Sequence, residues 1–215
     1  MSGLISSSLS LLRAANNVSA FDDEFGTDTE RIVPLWKLAI GSSNRIEGIR
    51  YQTIDPTTIR TAIRSLPINP ADFVFVDLGS GKGRSLLIAS EFPFKQIIGV
   101  EFSQQLNDIA MANVAKYPKP GCSQVLLLHE DAALFDFPPD NLVIYLYHPF
   151  GESVFRRVLD NLASSVEEND RHIRIIYFNP ILAQLLDAMT TLNRIDSPTS
   201  AAIYMHRGPA PGGSN

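Results

Sequence analysis

Cysteine is nearly absent from this chain: Cys122 is the only one in 215 residues, and there is a single tryptophan. One thiol forms no internal disulfide and cannot by itself build a structural zinc site, which excludes a disulfide-stapled secreted scaffold. The expectation is a reducing, cytoplasmic setting and no metal. Basic charge is also short, with 18 Lys and Arg against 23 Asp and Glu and a formal charge of −5. The strong positive field of a non-specific nucleic-acid binder is missing, so no strong nucleic-acid signal is expected and a basic partner fits better than an anionic one. Long apolar runs are missing too. The longest, at 125–128 and 142–147, fall far below the ~18–20 residues of a bilayer crossing, so no membrane partner is expected. The first 20 residues are rich in Ser and poor in acids but lack a basic leader, and they read as a mobile N-terminus rather than a targeting segment. What remains, 45% hydrophobic and 19% charged residues, is the composition of one well-buried globular domain.

Two regimes follow one another along the chain. The run FDDEFGTDTE at 21–30 is acidic and holds a Gly turn, which reads as a solvated loop leading into a helix at 31–40. Asp55 and Pro56 supply a cap and a pre-set φ for a second helix, with Ile59, Ala62, Ile63 and Leu66 at amphipathic spacing and Pro67 and Pro70 beyond its end. From Phe73 onward, apolar strand candidates at 73–77, 96–101, 124–129, 142–147, 173–178 and 201–206 alternate with helical stretches near 83–91, 103–116, 151–166 and 180–188. Continuously apolar strands separated by helices predict an α/β, doubly wound, mostly parallel sheet with helices on both faces. The division expected is a mobile 1–20, an N-terminal helical or lid segment at 21–70, the α/β domain at 71–207, and a disordered Gly- and Pro-rich tail at 208–215.

In such a sheet ligands bind beyond the carboxyl ends of the strands. The first strand-to-helix turn there reads VDLGSGKG at 76–83. Gly79, Gly81 and Gly83 permit a sharp turn and a close approach of backbone N–H groups to a ligand. Arg84 stands where a dinucleotide fingerprint needs its third glycine, and Lys82 has neither the spacing nor the following hydroxyl of a P-loop. What is present is an acid, Asp77, two residues before the first glycine. A carboxylate there repels a pyrophosphate and suits a ligand carrying an amino group or a sulfonium. Lys82 and Arg84 are expected on the exposed first turn of the helix.

The motif D-x-G-x-G-x-G, with its strand and helix, resembles motif I of the class I, seven-strand S-adenosylmethionine-dependent methyltransferases, and the resemblance spans about 73–206. It implies a seven-stranded sheet and S-adenosylmethionine as cofactor. It also implies a binding set of Asp77, Gly79, Ser80, Gly81, Gly83, Glu101, Phe102, Asp131 and Ala132. In that set Glu101 is the ribose binder, Asp131 meets the adenine amino group, and the Ala132 N–H meets a ring nitrogen. Tyr147-His148-Pro149-Phe150 resembles the family's motif IV, [N/D]-P-P-[F/Y], but His148 replaces the first Asn or Asp and only one proline is present. The wording DLGSGKGR at 77–84 also looks like the non-SET lysine methyltransferases, a comparison that places Tyr51 in a segment closing over the cofactor.

The resemblance therefore implies transfer of a methyl group to a nucleophile, with nitrogen, in a protein lysine or another amine, preferred over a small-molecule acceptor. His148, Tyr147 and Asn179, at the ends of the fourth and fifth strands, are the expected catalytic residues. An amine must shed a proton before it attacks, and His148 is the group expected to accept that hydrogen bond. Three alternatives stand beside this reading: a methyltransferase-like sensor without catalysis, a small-molecule O- or N-methyltransferase, and a nicotinamide dehydrogenase, the last disfavoured by Asp77 and Arg84.

Overall fold

The computed structural model describes residues 20–30 and 54–208. The helix expected at 31–40 and the lid residue Tyr51 lie outside the described residues, as do 1–19 and 209–215.

Helix α1 (Pro56–Ser65) starts as its sequence dictates: the Asp55 carboxylate accepts from the Thr58 N–H and Pro56 occupies the first turn. Its apolar stripe buries Ile59, Ala62 and Ile63. A 3-10 turn at Pro70–Asp72 then delivers the chain into β1 (Phe73–Leu78). The alternation follows as α2 (Arg84–Ala89), β2 (Gln96–Glu101), α3 (Gln104–Lys116), β3 (Val125–His129), β4 (Asn141–Tyr147), α4 (Glu152–Glu168), β5 (Ile173–Phe178), α5 (Ala183–Asp187), β6 (Asn193–Ile195) and β7 (Ala202–His206).

The seven strands form one sheet in the order β3-β2-β1-β4-β5-β7-β6. Pairing is parallel from β3 through β5, whereas β7 runs antiparallel to both β5 and β6. All six expected strands are present, and the seventh, β6, is the short exposed NRI segment that no apolar pattern marks. Successive side chains of β1 go to opposite faces. Val74, Val76 and Leu78 pack with Phe155 and Val158 of α4, while Phe73 and Phe75 pack with Ile59 and Ile63 of α1 and Leu86 and Leu87 of α2. Both faces of β1 are thus core, which is why its sequence is apolar without alternation. Removing a side chain such as Phe75, fully buried there, would cost about 3–5 kcal/mol.

From β1 the chain winds outward through β2 to β3, then returns to place β4 on the other side of β1. The crevice at the carboxyl ends of β1 and β4 is the topological switch point. Asp77 stands at the end of β1, Glu101 closes β2, and Tyr147 closes β4.

Candidate functional site

The turn after β1 is held by its own backbone. The Gly79 and Ser80 N–H groups donate to the Val100 carbonyl at 2.8 and 3.0 Å, and the Gly83 N–H donates to the Ser80 carbonyl at 2.8 Å. Gly79, Gly81 and Gly83 have φ of +81°, +54° and +84°, the left-handed region that glycine enters without cost. A Cβ at Gly79 would stand 2.3 Å from the Pro149 Cβ, so the loop after β4 lies directly against the glycine loop.

Two acids are buried at this turn. Asp77 accepts a short hydrogen bond from the Ser85 hydroxyl. Glu101 accepts at both oxygens from backbone, Oε2 from the Gly81 N–H and Oε1 from the Ser103 N–H, each at 2.9 Å. Burial pushes Asp77 up to about 7, aided by the nearby charge of Glu101 and opposed by Ser85. It pushes Glu101 up to about 7 as well, against the two backbone donors. The Ser80 hydroxyl and the Asn107 side-chain oxygen are buried in this structure without a hydrogen-bond partner. Carboxylates that burial makes reluctant to ionise, beside an unpaired hydroxyl, form a donor set suited to a cationic, hydroxyl-bearing ligand, and S-adenosylmethionine fits it.

The third expected acid has a local role. Asp131 caps the 3-10 turn Ala132–Leu134, accepting from the Ala133 N–H at 3.0 Å, with Ala132 buried just behind it. The neighbouring Glu130 donates its N–H to the Glu101 carbonyl at 3.1 Å, which ties the end of β3 to the end of β2. The Phe102 carbonyl lies 3.0 Å from the His129 Nε2.

At the ends of β4 and β5, His148 and Asn179 both have left-handed backbones, with φ of +38° and +46°. His and Asn are among the non-glycine residues that tolerate this region, and such conformations gather at functional sites. His148 is 7% exposed, and its Nδ1 lies 2.8 Å from the Tyr177 hydroxyl, which also accepts from the Leu182 N–H at 3.4 Å. Burial pushes the His148 pKa down, which keeps the ring neutral at physiological pH. Tyr147 and Asn179 line a cleft of ≈ 390 Å³ together with Ile54, Phe178, Pro180 and Ser200. The three expected catalytic residues therefore share one sheet edge, and two of them share a cleft. Tyr177, which no motif in the sequence marks, is the partner of His148.

Lys82 and Arg84 are not exposed; they are 1% and 4% accessible. Nor is 21–30 a solvated loop: residues 20–25 are helical, and the acids that follow cover these two cations. Lys82 Nζ is 3.0 Å from Asp28 Oδ1. The Arg84 guanidinium donates to the Thr29 hydroxyl at 2.7 Å and to Glu30 at 2.5 Å, and it lies 5.3 Å from the centre of the Phe21 ring. A buried cation must be paired, and the partners sit more than fifty residues away, beyond the reach of any local pattern.

Comparison with known proteins agrees with this geometry. The family model described as "Histone methylation protein DOT1" matches residues 48–122, which hold the glycine loop and Glu101. A search of curated proteins finds no match. Among solved structures, a predicted N6-adenine-specific DNA methylase from Listeria monocytogenes aligns at 15% identity with a TM-score of 0.55. The alignment covers 73% of this chain and 52% of that one, so the chain spans about half the length of the Listeria protein. The 23S rRNA methyltransferase ErmE aligns at 11% identity and a TM-score of 0.52 over 73% and 69% of the two chains. An RNA methyltransferase from Salinibacter ruber, in complex with S-adenosylhomocysteine, aligns at 18% and 0.50 over 77% and 98%. The architecture is that of the class I S-adenosylmethionine-dependent methyltransferases. Fold, glycine loop and family match agree on a methyltransferase of that class, with S-adenosylmethionine as its cofactor. The expectation of no strong nucleic-acid signal is overturned by the neighbouring structures, which are mainly named for RNA and DNA substrates.

Proposed function

We propose that the protein moves the methyl group of S-adenosylmethionine to a nitrogen nucleophile presented at the ends of β4 and β5. The observation that carries this reading is the pair of buried acids, Asp77 and Glu101, on either side of the glycine loop, each held near 7 by burial. A cationic ligand between them stabilises their ionised forms, whereas a pyrophosphate is repelled.

The bound cofactor supplies a methyl group already activated on a sulfonium. The chain's contribution is alignment and a water-poor site. Asp77 faces the cationic part of the ligand, Glu101 is the acceptor for ribose hydroxyls, and Asp131 with the Ala132 N–H meets the base. On the acceptor side, neutral His148 adds no positive charge that would repel an incoming amine. Its Nδ1 is engaged by Tyr177, so Nε2 is the nitrogen that meets the acceptor. Tyr147 and Asn179 offer an aromatic surface and a polar edge within the cleft.

The test is methyl transfer from tritium-labelled S-adenosylmethionine into a cell extract, followed by nuclease or protease digestion and identification of the labelled atom. Label on nitrogen supports the reading. Nuclease-sensitive label identifies a nucleic-acid acceptor, and protease-sensitive label a protein. Label on oxygen, or none in any fraction while the cofactor binds, overturns it. His148→Ala should lower turnover by about 10²-fold while S-adenosylhomocysteine affinity stays within about twofold.

A further inference from the structure

The acids of 22–30 do more than neutralise charge. Asp22 organises the segment, accepting from the Thr27 and Thr29 hydroxyls at 2.6 and 2.7 Å and from the Thr29 and Glu30 N–H groups at 2.8 and 3.0 Å. Burial alone would raise its pKa, but these hydrogen bonds and the charge of Arg84 outweigh it and hold the carboxyl below its ordinary range. The organised segment then reaches the glycine loop at three points. Asp28 pairs with Lys82, and Thr29 and Glu30 hold Arg84. Asn113 of α3 bridges the backbones of both: its Oδ1 accepts from the Asp28 N–H at 2.8 Å, and its Nδ2 donates to the carbonyls of Asp28 and Lys82, each at 3.0 Å.

The Lys82 carbonyl lies in the peptide that joins Lys82 to Gly83, one residue beyond Gly81, and the Gly81 N–H is one of the two donors fixing Glu101. Three consecutive residues, Gly81 to Gly83, span this joint, and two of them have left-handed backbones. A glycine-rich stretch pays the largest entropy of ordering, so contacts that fix it from outside determine how well its N–H groups are placed before the ligand arrives.

We propose that residues 22–30 are a strap of the cofactor site, with Asp28 and Asn113 as positioning residues that hold the glycine loop, and through it Glu101, in binding geometry. This rests on the reading of the loop as the S-adenosylmethionine site. The strap acts on cofactor affinity and leaves the methyl-transfer step alone, because none of its residues stands at the ends of β4 and β5.

The experiment is calorimetric titration of S-adenosylhomocysteine into the full-length wild type and its Asp28→Asn, Asp28→Glu and Asn113→Ala variants, with thermal unfolding of each. Asp28→Asn and Asn113→Ala should weaken binding by about tenfold or more, since the first removes the charge paired with buried Lys82 and the second removes three hydrogen bonds to backbone, and Asp28→Glu should restore most of the loss. With an acceptor in hand, KM for S-adenosylmethionine should rise while kcat stays within about twofold. Should Asn113→Ala fail to fold, the Asp28 pair carries the test, because that side chain is half exposed. Wild-type affinity in folded Asp28→Asn, or a loss that Asp28→Glu does not recover, would overturn the strap. A wild type that does not bind the ligand overturns the reading of the loop and the strap with it.

Discussion

On the proposed reading of the glycine loop, Asp77 and Glu101, which burial raises to about 7, make affinity for S-adenosylmethionine depend on pH. In the free protein both carboxyls lose their protons only as pH rises toward 7, and a cationic ligand favours the ionised forms. Affinity for S-adenosylmethionine should therefore climb between about pH 6 and 8 and then level off, and titration near pH 7 should release protons to the buffer. Calorimetry in two buffers of different ionisation enthalpy measures this; equal heats in both would contradict it. Folding stability runs the other way. A carboxyl whose folded pKa lies above its unfolded value stabilises most below the unfolded value, and that contribution is lost as pH rises through about 7. Backbone conformation offers a second test at this scale. Gly79→Ala incurs the left-handed penalty of about 1–2 kcal/mol plus about 1–3 kcal/mol for the clash with Pro149. Gly26→Ala, with φ of +65° and nothing within 4 Å, incurs the first alone, so denaturant titrations should separate the two. Asp77 and the glycines were legible in the sequence because their spacing is local, and Glu101 because it closes an apolar strand run. Tyr177 as the partner of His148 was not, since that bond joins residues 29 apart, one just past β4 and the other on β5.

Strands and helices were readable where burial imposes a pattern. β1, β2, β4 and β5 are apolar runs with core on both faces, and α1 carries its own cap and stripe. β6 has two exposed residues of three and no pattern to read, and the 20–30 segment looks solvated because its partners, Lys82, Arg84 and Asn113, lie 54 to 85 residues away. A similar long-range tie docks α1. Arg60 donates two bonds of 2.7 Å to Glu91, just past α2, and the Tyr117 hydroxyl at the end of α3 donates to the same carboxylate at 2.5 Å. Burial would raise the Glu91 pKa, but Arg60 and Tyr117 more than offset it and hold the carboxyl below its usual value. This contribution to stability is present above the unfolded pKa and is lost as pH falls through the lower folded one. Glu91→Gln should cost about 1.5–3 kcal/mol at pH 7 and progressively less below pH 4, which denaturant unfolding at the two pH values checks.

For the whole molecule, one sheet carries both the crevice at the glycine loop and the cleft at the ends of β4 and β5, so a ligand bound at either is felt by the entire fold. A ligand that binds only the folded state adds RT ln(1 + [L]/Kd), about 2.7 kcal/mol at a hundredfold excess over Kd. In a chain of 215 residues each kcal/mol moves the midpoint by roughly 2–4 °C, so saturating S-adenosylhomocysteine should raise Tm by roughly 5–11 °C. NADH should not, because its pyrophosphate would meet Asp77 at the end of β1, and Lys82 and Arg84, the only cations within 77–84, are turned to Asp28 and Glu30. The shift should also be larger at pH 8 than at pH 6, since the ligand's ammonium group favours the ionised form of the buried acids. A shift with NADH equal to that with the sulfur ligand would mean that the glycine loop accepts phosphate, and the assignment of Asp77 as the residue that selects the cofactor would fall.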